Sequence, residues 1–196
     1  MTLFRPLAAA GALACLAGCA PAEPVFLPPP AAVQQEVNAA EPLVAANWQT
    51  LSSLAHGYRL QLPNDWTQVQ GAPDLSDSYV AFASPDQALN VTMATLAVQQ
   101  TSLAAYLTQV DADSQTGYEG QASQIVSDMR LLTIAGEQAI QRREMLLAAG
   151  FERVATYIMH NGTVYRFTTD RPAATALWAG DVTFHEQVSS LITFLP

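Results

Sequence analysis

Asn161-Gly162 stands between two runs in which apolar and polar residues alternate, 151–160 and 163–169. A two-residue hairpin in a right-twisted sheet needs positive φ at both central positions, and asparagine followed by glycine adopts that geometry most readily. The turn also fixes the register. Thr163 faces His160, Val164 faces Met159, Tyr165 faces Ile158, Arg166 faces Tyr157 and Phe167 faces Thr156. Two faces then separate. Val154, Ile158, Tyr165 and Phe167 form an apolar side that should meet helices, while Arg153, Tyr157, Met159, Val164 and Arg166 form the other, where Arg166 can stack on the Tyr157 ring.

The rest of the chain supplies partners for this hairpin. Tyr58, Leu60 and Leu62 alternate with Arg59 and Gln61, a strand stopped by Pro63 and the Asn64-Asp65 turn. Strands over 79–83 and 89–98 flank a turn at Ser84-Pro85-Asp86. Thr101 or Ser102 can cap a helix whose apolar positions Leu103, Tyr106, Leu107 and Val110 recur at helical spacing and which should end before Gly117. Further strands are predicted at about 125–134 and 137–147, and a last helix from about Asp181 carries Phe184, Val188, Leu191 and Ile192 on one face, with Trp178 packing just before it. Strand and helix signals alternate without the regular rhythm of a parallel sheet. The prediction is an α+β domain over 43–196, an antiparallel β-sheet flanked by helices.

Several stretches also resemble a known group. Gly57-Tyr58-Arg59-Leu60-Gln61-Leu62-Pro63-Asn64-Asp65-Trp66, the strand pair ending in 88–98, the helix at Ser102, the turn Ile134-Ala135-Gly136-Glu137-Gln138-Ala139 and the closing Val188-Ser189-Ser190-Leu191-Ile192-Thr193-Phe194 are similar to the Mog1/PsbP-like fold, which includes bacterial lipoproteins of the DcrB/PsbP type. The resemblance covers most of 47–196. It implies a Mog1/PsbP-like sandwich and a non-catalytic accessory or binding role, and it carries over no functional residue because the shared motifs are packing motifs.

Upstream of this domain the chain reads as an address. Arg5 precedes an apolar run of ten residues, Leu7 to Leu16, too short to span a bilayer, and the segment ends Leu16-Ala17-Gly18-Cys19. That ending looks like a bacterial lipobox, so a signal peptide over 1–18 and lipidation of Cys19, with palmitate-type acyl chains, are expected. Each buried methylene contributes roughly 0.8 kcal/mol, so two or three chains anchor stably where one is marginal. Residues 19–42 hold six of the twelve prolines and read as an extended tether at about 3.1 Å per residue, with a short helix expected over 31–40. Ala20 stands where an aspartate retains some lipoproteins at the inner membrane, which points to the outer membrane or cell surface.

Composition narrows the chemistry. All eight basic residues are arginines, which excludes mechanisms that need a lysine amine or a P-loop lysine. A net charge of -9 argues against binding nucleic acid, where the electrostatic term has the wrong sign. Cys15 leaves with the signal peptide, so the mature chain keeps Cys19 alone and has no disulfide framework. No nucleophile elbow, zinc-protease helix, dinucleotide loop or paired-cysteine motif is present. Asp111-Ala112-Asp113-Ser114-Gln115 opens like a calcium loop but continues with Thr116 where glycine is required and Ala122 where glutamate is required. No cofactor or metal is expected, and His56, His160 and His185 are too scattered to suggest a metal site.

One constellation remains. If Ala148-Ala149-Gly150 is a three-residue loop, Arg143 joins Arg153, Tyr157 and Arg166 on one sheet face, a candidate surface for an acidic partner or anionic ligand. The alternative is that these arginines pair with carboxylates such as Glu137 or Glu144, or lie under a covering segment. The reading is a membrane-anchored envelope lipoprotein with a non-catalytic, monomeric binding domain and an envelope protein partner. Two alternatives stand beside it. One is a small-ligand carrier with a pocket between sheet and helices, and the other a hydrolase built on a carboxylate and one of the histidines.

Overall fold

The computed structural model describes residues 47–114, 123–125, 129–147, 150–171 and 176–196. The signal peptide over 1–18, Cys19, the tether over 19–42 and the short helix at 31–40 lie outside the described residues. In chain order the elements are β1 (Trp48–Ser53), β2 (Tyr58–Pro63), β3 (Thr67–Gln70), β4 (Tyr79–Ala83), β5 (Asn90–Ala97), α1 (Leu103–Ser114), β6 (Ser123–Ile125), β7 (Arg130–Ile134), β8 (Glu137–Leu146), β9 (Phe151–His160), β10 (Thr163–Asp170), α2 (Ala179–Ser190) and β11 (Thr193–Phe194). Every strand pair is antiparallel.

The Asn161-Gly162 turn forms as the sequence requires, with φ of 49° and 74°, and all five predicted cross-strand pairs of β9 and β10 are present. This hairpin sits at the centre of the larger sheet, whose order is β3-β4-β5-β10-β9-β8-β6, with β7 also paired to β8. A smaller sheet has the order β1-β2-β11. Three strands were not expected. β1 and β3 are short and mostly polar, so neither shows a clear alternation, and β11 is a two-residue pairing onto β2. The last helix ends at Ser190, so Ile192 packs from the segment that turns into β11. The single strand expected over 125–134 is two strands, β6 and β7, both paired to β8.

The larger sheet is buried on both faces. On one side, Val80, Phe82, Val91, Met93, Ile158, Tyr165 and Phe167 meet Tyr58, Leu60 and Leu62 of β2 and Val188 of α2. Phe184 of α2 fills the gap between Trp48 and Trp66, stacked on Trp66 at 5.0 Å. On the other side, Leu103, Tyr106, Leu107 and Val110 of α1 cover Ile140, Ala155, Tyr157 and Val164. The predicted helical stripe is therefore the face that packs, and Ser102 caps the helix by accepting the Ala105 N–H at 3.2 Å. Each such burial contributes roughly 1.5–3 kcal/mol, so the first, larger cluster dominates stability.

Candidate functional site

The arginine and tyrosine face is built by β8, β9 and β10, and its composition depends on the loop between β8 and β9. Leu146 pairs with Phe151, so four residues, 147–150, make the connection rather than three. Gly150, at φ 71°, donates its N–H to the Leu146 carbonyl at 2.7 Å, a bond that closes the four-residue connection. The register of β8 consequently moves by one residue and every β8 side chain changes face. Arg142, not Arg143, lies opposite Ala155, and Glu144 lies opposite Arg153. The placement of Arg143 beside Tyr157 is corrected accordingly. Arg143 faces Val154 on the opposite side of the sheet and pairs with Glu152.

The structure brings Tyr157, Arg153 and Arg166 to one face and adds Arg142 and Glu144 to them. Tyr157 is fully buried, and its Oη donates to Glu144 Oε1 at 2.6 Å. The same oxygen accepts the Arg142 Nε–H at 2.8 Å, and Arg142 Nη1 reaches Asp111 of α1 at 2.7 Å. The cation resting over the Tyr157 ring is also Arg142, with Cζ 5.2 Å from the centroid. Arg166, directly across from Tyr157, is buried, and Arg153 approaches Asp170 at 4.0 Å. Burial pushes the Tyr157 hydroxyl above its ordinary range, and the Glu144 charge adds to the shift. Burial alone would lower Arg142, but its interactions with Tyr157, Glu144 and Asp111 outweigh it and hold the guanidinium charged. Burial likewise raises the Asp170 carboxyl, opposed by Arg153.

These contacts make the face an internal network. Arg142 joins β8, β9 and α1 through one guanidinium, and Asp111, which the sequence placed in an incomplete calcium loop, is the α1 end of that link. Among the described residues no group of three or more His, Cys, Asp or Glu side chains is arranged to hold a metal.

The three histidines occupy different environments. His185 is fully buried on α2, bridging Thr156 through Nε2 at 2.7 Å and Thr169 through Nδ1 at 2.9 Å. Burial lowers its pKa to about 3, so the ring is neutral. His160 stacks on Phe194 at 4.2 Å, with Glu137 at 2.8 Å from Nδ1. Asn161 Nδ2 donates to its Nε2 at 2.9 Å, so the ring proton sits on Nδ1 and points to the carboxylate. An acid and an imidazole therefore meet here, with both ring nitrogens engaged inside the domain. His56 Nε2 contacts the Ser76 carbonyl at 2.8 Å, and its own carbonyl accepts the Tyr165 hydroxyl at 2.8 Å.

Sequence reasoning missed the His185 bridge and the Glu137–His160 pair. The first was legible in spacing, since His185, Val188, Ser189 and Ile192 recur at helical intervals. The second lies just past the corrected β8–β9 register, which begins at the Ala139–Ile158 pair. Trp178, expected to pack ahead of α2, is 67% exposed and lies over Arg171 with Cζ 3.8 Å from the ring centroid. Asp181 fixes this corner by accepting both the Trp178 N–H at 2.9 Å and the Arg171 fork.

Comparison with family models finds no match, and comparison with curated proteins finds none either. Among solved structures, the chain is similar to the solution structure of cyanobacterial PsbP (CyanoP) from Synechocystis sp. PCC 6803, with a TM-score of 0.57 and 14% identity, covering 78% of this chain and 95% of that one. It is also similar to the Ran-binding protein Mog1p of Saccharomyces cerevisiae, with a TM-score of 0.53 and 12% identity, covering 77% of this chain and 97% of that one. The likeness establishes the fold, an α+β antiparallel sheet of the PsbP/Mog1-like kind.

Proposed function

We propose that this protein is a lipid-anchored lipoprotein of the bacterial cell envelope whose PsbP/Mog1-like domain binds an envelope protein and catalyses no reaction. The observation that carries the reading is Leu16-Ala17-Gly18-Cys19, set behind a ten-residue apolar run and ahead of a proline-rich stretch. Thioether-linked lipid on Cys19 would hold the domain at the membrane, and the prolines would set its distance from the surface. The PsbP/Mog1-like fold is compatible with an accessory role, and it leaves function to be argued from the surface.

In this reading Arg142 and Tyr157 serve the domain from inside, fastening α1 to the sheet, with Arg166 buried beside Tyr157, while Arg143 pairs with Glu152 on the opposite face. Histidines whose ring nitrogens are engaged by Thr156, Thr169, Glu137 and Asn161 support a binding role over hydrolysis.

Fractionation tests the reading. Expressed in a bacterium with a lipoprotein pathway, the wild-type chain is expected in the membrane pellet and released by detergent, and Cys19→Ser is expected to lose that association. Equal distribution of the two proteins in the soluble fraction would overturn the anchor.

A further inference from the structure

The two edges of the larger sheet are treated differently. The β3 edge is four residues long and broken by a register shift between Gln68 and Gln70, a device that blunts strand addition. The β7 edge, five residues long, has no such break. Arg130-Leu131-Leu132-Thr133-Ile134 pairs with β8 in continuous register and contains no proline, and among the described residues no strand pairs with its outer side.

The turn that joins β7 to β8 tells which backbone groups face outward. Ala135 and Gly136 have φ of 51° and 83°, and Ile134 pairs with Glu137, so this is a two-residue hairpin in which the pair flanking the turn exchanges hydrogen bonds. Bonded and non-bonded pairs alternate from there. Leu132 bonds toward β8, and the N–H and C=O of Leu131 and Thr133 point away from it. Leu131 is 58% exposed, and the neighbouring Met129 is 46% exposed. Two outward donor–acceptor pairs, two residues apart and beside exposed apolar side chains, make a template for an added extended strand.

Charge selects among such strands. Leu131 stands opposite Ile140, which belongs to the cluster under α1, and Asp111 near the carboxyl end of that helix reaches Arg142 two residues further along β8, so this end of the helix lies on the same side of the sheet as the Leu131 side chain. Asp111, paired with Arg142, and Asp113 are there, Arg130 at the start of β7 is matched by Glu186, the last turn of α1 contains no basic residue, and the helix dipole adds partial negative charge at that end. At the turn beyond Ile134 stands Glu137, and the whole chain carries -9. A second copy would bring the same negative charge to this edge, whereas a basic strand is attracted.

We infer that the outer edge of β7 is the docking site for an extended segment of a partner protein in which apolar residues alternate with lysine or arginine. The inference rests on the binding role proposed above and is independent of the lipid.

The test uses full-length protein in detergent micelles and the blocked peptide Ac-Lys-Val-Lys-Leu-Lys-Val-Lys-NH2, with amide hydrogen exchange read by NMR. At saturating peptide, exchange at Leu131 and Thr133 is expected to slow at least tenfold, with Val69 on the opposite edge unchanged. Thr133→Pro removes one outward N–H without touching the ladder to β8, and is expected to weaken binding at least tenfold. Leu131→Lys, which repels the peptide and keeps the backbone, gives the same expected loss should the proline variant not fold. Equal binding of a peptide with glutamate in place of lysine, or of one N-methylated at alternate amides, would overturn the proposal. Sedimentation showing a dimer without peptide that Leu131→Lys dissolves would assign the edge to a second copy and overturn it also. Loss of membrane association with peptide binding intact would strike the anchor alone, and peptide failure with the anchor intact would strike this inference alone.

Discussion

His185 is neutral because its site offers two hydroxyls and no carboxylate. Thr156 and Thr169 each hold one ring nitrogen, which fits the uncharged imidazole as one donor and one acceptor, and burial without a counter-charge disfavours the imidazolium. A histidine in the unfolded chain takes a proton below about pH 6.5, while the buried one refuses it until about pH 3. The unfolded state therefore binds the extra proton in that window, and stability falls as pH drops through it, by up to roughly 1.4 kcal/mol per unit. Urea unfolding at pH 7 and pH 4.5 should show a larger loss for wild type than for His185→Gln, which can bridge the same hydroxyls without titrating. Equal losses would mean that His185 contributes nothing to acid sensitivity. At Glu144 the effect is one of pairing. Glu144→Gln weakens the acceptor of the Tyr157 hydroxyl and removes the carboxylate paired with the Arg142 Nε–H, leaving that buried cation to Asp111, at an expected cost of about 3 kcal/mol in denaturant unfolding.

At the scale of elements, α1 is held by an apolar stripe and by the Asp111–Arg142 link. Asp111 is partly solvated, so Asp111→Asn is expected to cost only about 1 kcal/mol globally. Its local effect should be larger, with hydrogen exchange accelerating in α1 and remaining slow in β9 and β10. Uniform acceleration across the domain would show that the helix does not move separately. The same comparison explains what could be read from sequence. The β9–β10 hairpin was legible to the residue because Asn161-Gly162 dictates both turn and register. The β8–β9 connection was not, since nothing in Leu147-Ala148-Ala149-Gly150 distinguishes a three-residue loop from a four-residue turn closed at Gly150. That single residue exchanged Arg143 for Arg142 beside Tyr157. β1 and β3 were illegible for another reason. Their polar residues gain order from the strands they pair with and carry no period of their own.

The whole molecule divides its charges between interior and surface. Arg142 and Arg166 lie inside with Glu144, and Arg130, Arg143 and Arg171 are tied to Glu186, Glu152 and Asp181. Positive charge is thus largely matched, and the excess of carboxylates sets the field that a partner meets. A basic strand arriving at β7 and a lipid holding the chain at its other end would be the two contacts through which such a domain works. Among the described residues no helix is long and apolar enough to cross a membrane; the attachment proposed above is through lipid on Cys19. The most direct measurement is the mass of the amino-terminal peptide of the mature protein, isolated from membranes by detergent extraction. A peptide that begins at Cys19 and carries diacylglyceryl on its sulfur is the predicted result, and an unmodified Cys19 within an uncleaved chain would contradict it.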